Sequence, residues 1–101
     1  MKNVFTKIQE DDVRYYMNTK NGEKEISHKE YVAEVLKEAN ALYDSIVKLA
    51  KSNGCVWTMW IQQHFKLDWI GASHVIDKMR SEGICGDYDP EFGASRILVS
   101  N

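Results

Sequence analysis

The chain has 101 residues, enough for one domain with one modest core. Its 13 Lys and Arg against 15 Asp and Glu give a formal net charge of −2, which argues against strong nonspecific binding to nucleic acid, because phosphate neutralisation supplies most of that affinity. No apolar run approaches the ~18 residues of a membrane-spanning helix, and the start, "MKNVFTKIQEDD", has no apolar signal region, so the expectation is a cytoplasmic protein without a membrane partner.

Residues 1–12 carry a weak pattern: Val4, Phe5 and Ile8 either dock on the rest or belong to a loose arm. From Val13, "VRYYM" is rich in the aromatic and β-branched residues that suit a strand. Asn21-Gly22 is a hairpin-turn pair, and "EKEI" is the return strand, with Ile26 toward the core. Ser27 opens the first clear helix, with Glu30 three residues on to complete a capping box. Val32, Val35, Leu36 and Ala39 recur at helical spacing, then Tyr43, Ile46, Val47 and Ala50. Asn40 interrupts as a poor helix former, so the reading is two segments, about 28–39 and 41–52, either broken at Asn40 or run together. Gly54 is the stop.

"CVWT" reads as extended, "MWIQQHF" as a two-turn helix and "KLDW" as a turn. "IGASHVIDKMRSE" is the next helix, with Ala72, Val75, Ile76 and Met79 inward and Gly83 at its end. "GICGDY" and "SRILVS" are short strands joined by an acidic loop around Pro90 and Gly93. Helix, short strand, helix, turn, helix, hairpin is the winged-helix order. The expected fold is therefore α+β and mainly helical: an N-terminal arm, hairpin and extra helix over residues 1–40, and a winged helix-turn-helix domain over 41–101.

From Leu42 to about residue 100, more than half its length, the chain resembles the gamma domain of the bacterial DNA translocase FtsK. The matching stretches are "LYDSIV", "IQQHFKL", "IDKMRSEGI" and "SRILV"; none is specific alone, but their order and spacing together are. The resemblance implies a winged helix that recognises short guanine-rich DNA. It does not imply a motor, because no phosphate-binding Gly-rich loop ending in Gly-Lys-Ser/Thr is present. The family's third helix usually opens with Gly, an aromatic, Asn and Arg, with a second Arg one turn later. Here those positions hold Asp68, Trp69, Ile70, Gly71 and His74. The side chains that pair bidentately with guanine and adenine are gone, so weak sequence preference is expected.

Two functions follow. The leading one is a small standalone DNA-binding or regulatory protein on double-stranded DNA, with Lys66, Ile70, His74, Lys78, Arg80 and Arg96 as its contacts. On that reading Ile70, Gly71, Ser73, His74, Asp77, Lys78 and Ser81 face outward. The competing one is a protein-interaction module, an adaptor or inhibitor of the kind phages carry, that uses the scaffold without reading DNA. Its anchors are Trp60 and Trp69, because three tryptophans crowd a small core and one of these two should remain exposed. The apolar stripe on helix 28–39 either packs inside the molecule or pairs two copies as a homodimer.

The acids Asp87, Asp89 and Glu91 in the expected wing would repel phosphate. They do not form a calcium loop, since Phe92 and Leu98 stand where such a loop needs Gly and Glu. His28, His64 and His74 do not share a ligand spacing with Cys55 and Cys85. No metal, cofactor or catalytic set is expected, and the two cysteines are read as reduced thiols.

Overall fold

A computed structural model describes residues 3–99; the first two residues of the expected arm and the last two of the chain lie outside it. The structure is α+β, with three helices and two small antiparallel sheets. No helix among the described residues is long and apolar enough to cross a membrane.

The first sheet is a three-stranded meander, β1 (Val4–Gln9), β2 (Asp12–Thr19) and β3 (Gly22–Ile26), in the order β1-β2-β3. Val4 pairs with Met17, Ile8 with Val13 and Tyr15 with Ile26. The expected hairpin is therefore only part of the element, and the arm supplies its outer strand. Alternation along β1 and β2 puts Val4, Tyr15, Met17 and Ile26 on one face, and that face packs on the start of the long helix. Glu10 and Asp11 make the β1–β2 turn, with Glu10 at φ 55. At the second turn Thr19 pairs with Gly22, so the loop is Lys20-Asn21 and Gly22 already belongs to β3.

Helix α1 (His28–Asn53) is continuous, and the boundary expected between residues 40 and 41 falls inside it. Ser27 and Glu30 form the capping box, and Gly54, at φ 86, ends the helix by donating its N–H to the Ala50 carbonyl. Asn40 does not break the helix. Its side chain is occupied by His74, whose Nε2 donates to Asn40 Oδ1 at 3.1 Å, so it does not compete for the local backbone. Buried Tyr31, Val35, Ala39, Tyr43, Ile46 and Ala50 form one stripe at spacings of three and four.

That stripe serves two clusters in succession. Its first turns join Val4 and Ile26 in one; from Ala39 on it joins Val56, Trp60, Ile61, Leu67, Val75 and Met79 in the larger one. The larger cluster is closed by β4 (Cys55–Val56), α2 (Thr58–Phe65), α3 (Trp69–Ser81), β5 (Cys85–Asp89) and β6 (Ala94–Ile97). The second sheet runs β4-β6-β5. Cys55 lies opposite Arg96 and Cys85 opposite Ile97; both cysteines are free. Burial pushes the Cys85 thiol up from its ordinary value.

Candidate functional site

Helix α2 ends where Lys66 adopts a left-handed conformation, φ 57, and donates its N–H to the Gln62 carbonyl. Leu67 is buried in the turn, and Asp68 caps α3 by accepting from the Ile70 N–H. Asp68 also accepts a hydrogen bond from the Tyr31 hydroxyl, which ties the start of α3 to α1. At the other end of α3, Tyr43 Oη donates to Glu82 Oε1 at 2.6 Å. Desolvation, then the hydrogen-bonded carboxylate, raises both phenols above the ordinary tyrosine range.

These ties decide which face of α3 is free. Ile70 packs on the first cluster. Gly71 is buried, and a Cβ there would lie 3.2 Å from Val35 Cγ1. His74 bonds Asn40, and the Lys78 ammonium sits 4.2 Å from the centre of the Tyr43 ring. The expected outward set is thus corrected: Ile70, Gly71, His74 and Lys78 form the seam with α1. The apolar spacing marked Ala72, Val75, Ile76 and Met79 as inward, and all four are buried. It could not mark the second seam, whose signal is the small residue Gly71 allowing close approach of two helices.

The free face carries Trp69, Ser73, Asp77 and Arg80. Trp69 is 60% exposed, in line with the expectation of an uncovered tryptophan. Trp60, the other expected anchor, is 6% exposed within the larger cluster, its ring 4.9 Å from that of His64; it is a core residue. Arg80 Nη1 reaches Asp77 at 3.1 Å and its Nε lies 3.3 Å from Asp87, an ion pair without hydrogen-bond alignment. Arg96 lies on β6, its guanidinium carbon 3.8 Å from the centre of the Phe92 ring. Lys66 is exposed on the α2–α3 turn. Of the expected cationic contacts, Lys78 thus lies over Tyr43 and Arg80 between two carboxylates, while Lys66 and Arg96 are exposed on the α2–α3 turn and β6.

Between α3 and the β5–β6 hairpin lies a groove of about 210 Å³, lined in part by Trp57, Ser73, Ile76, Asp77, Tyr88 and Ser95. Tyr88 is 55% exposed. Asp89 folds the loop by accepting from the Glu91 and Phe92 N–H groups. Sequence reasoning missed Trp57, Tyr88 and Ser95; the available signal was an aromatic set among acids in "GDYDPEF". A larger, shallower hollow of about 490 Å³ lies along α1 beside Glu34, Lys37, Leu42 and Phe65; the smaller groove joins exposed Tyr88 and half-buried Trp57 to polar groups of α3 and β6. Among the described residues no group of three or more His, Cys, Asp or Glu could hold a metal ion. No family model, no curated protein and no solved structure matches the chain.

Proposed function

We propose that the protein is a small protein-interaction module of winged-helix order, whose α3 and β5–β6 face takes a protein partner and not DNA. The observation that carries this reading is the charge of that face. Its central cation, Arg80, is shared by Asp77 and Asp87, and Asp89 and Glu91 follow on the same hairpin. Duplex DNA approaching there would meet carboxylates, whereas a protein partner would meet Trp69 and Tyr88, rigid aromatics of the kind that anchor interfaces. On the resemblance to the FtsK gamma domain, three of the base-reading positions are Ile70, Gly71 and His74, all of which lie against α1. The scaffold would then retain a reader's layout without a reader's surface.

A gel shift with mixed random duplexes at 50 and 150 mM salt tests this. The expected outcome is no complex at the higher salt. A complex whose affinity falls with a log–log salt slope of about −3.6, the ~−0.9 per phosphate for four cations, and weakens with Lys66→Ala and Arg96→Ala, would overturn the proposal in favour of DNA.

A further inference from the structure

Resting on the protein-interaction reading, we infer that the α3/β5–β6 groove is a receptor for one arginine side chain of a cationic, extended partner segment. At about 210 Å³ the groove is smaller than the ~300–1,000 Å³ of small-molecule sites, and its scale is that of a single side chain. Its polar atoms suit a donor. Asp77, on the free face of α3, offers carboxylate oxygens, and one guanidinium shared by Asp77 and Asp87 leaves that trio at net −1.

Ser95 adds a polar group at the floor of the groove. It is the one buried polar residue among the described side chains, 1% exposed, and it lines the groove. Arginine has five N–H donors and no acceptor, so it matches a carboxylate beside a hydroxyl. The remaining lining, Trp57, Ile76 and Tyr88, suits a planar guanidinium and its alkyl stem better than a compact, strongly hydrated ammonium. Asp89 and Glu91 on the hairpin extend the negative field beyond the groove, which favours further basic residues flanking the inserted one.

The minimal probe is N-acetyl-argininamide, titrated into uniformly ¹⁵N-labelled protein with N-acetyl-citrullinamide as the uncharged isostere. Expected are saturable shifts confined to Trp57, Ser73, Asp77, Tyr88, Ser95 and their neighbours, absent with citrulline. Asp77→Asn and Ser95→Ala should each weaken binding about fivefold, the upper range for an exposed ion pair, while Asp11→Asn, on the distant β1–β2 turn, leaves it unchanged. Equal shifts with citrulline, or none at the groove, overturn the arginine assignment. A displayed heptapeptide library separates this from failure of the broader reading. Peptides that lack arginine yet compete for the groove overturn the inference and leave the interaction module standing; no peptide at all, with duplex DNA shifting the same resonances, overturns both.

Discussion

At the scale of single residues the α1–α3 seam rests on two phenols, Tyr31 on Asp68 and Tyr43 on Glu82. Each phenol titrates above its ordinary value of 10.0 in the folded chain, so folding favours the protonated form. That contribution is complete below pH 10, the value of the unfolded chain, and is lost as pH rises through the folded value. Stability should therefore fall above pH 10, and the fall should be shallower in a Tyr31→Phe, Tyr43→Phe double variant; urea midpoints from pH 7 to 11 measure it. At pH 7 each single variant should cost about 1.5–3 kcal/mol, the range for a hydrogen bond to a charged group. Equal pH profiles for both proteins would mean that the phenols do not hold the seam.

At the scale of elements, the close approach of α3 to α1 depends on Gly71. Gly71→Ala gains up to ~1 kcal/mol of helix propensity but sets a methyl 3.2 Å from Val35 Cγ1, so its melting temperature should stay near the parent's. Gly71→Leu has no room and should cost about 1–3 kcal/mol, read from thermal unfolding; a neutral Leu variant would show that the helices separate freely. The elements were legible where local chemistry marks them: the Ser27–Glu30 box, Gly54, the inward set of α3 and the β5–β6 hairpin. They were illegible where the cause is tertiary. Strand β1 escaped because its turn, Glu10-Asp11, lacks the Gly or Asn that usually accepts positive φ, and because β1 gains its place by pairing. Asn40 looked like a break because its partner, His74, is on another helix. The site was half legible: the acidic hairpin and Trp69 stood out, but spacing on α3 alone could not show that Lys78 lies over Tyr43 or that Arg80 is held by Asp77 and Asp87.

At the scale of the molecule, the chain is drawn out to 46 × 29 × 21 Å, with a Cα radius of gyration of 15.4 Å against the ~13 Å usual for 100 residues. The elongation follows α1, roughly 39 Å long at 1.5 Å per residue, which carries the meander at one end and the larger cluster beyond it. Of the apolar stripe Tyr31, Val32, Val35, Leu36 and Ala39, the residues Tyr31, Val35 and Ala39 are buried within the single chain and Val32 and Leu36 are half-buried. Small-angle scattering should return the elongated profile; a sphere-like one would mean that the meander folds back on the larger cluster.

The continuous α1 also fixes how the protein comes apart. The tryptophans Trp57 and Trp60 report the larger cluster and Tyr31 the smaller one, so the two ends carry separate spectroscopic clocks. A helix that lends its buried stripe to both cannot melt in its first turns without stripping cover from Ile70 and Gly71 of α3, the helix that closes the larger cluster. Tryptophan emission and the Tyr31 ring resonances should then trace a single coincident transition in urea, so that a small chain with two cores behaves as one unit of cooperativity.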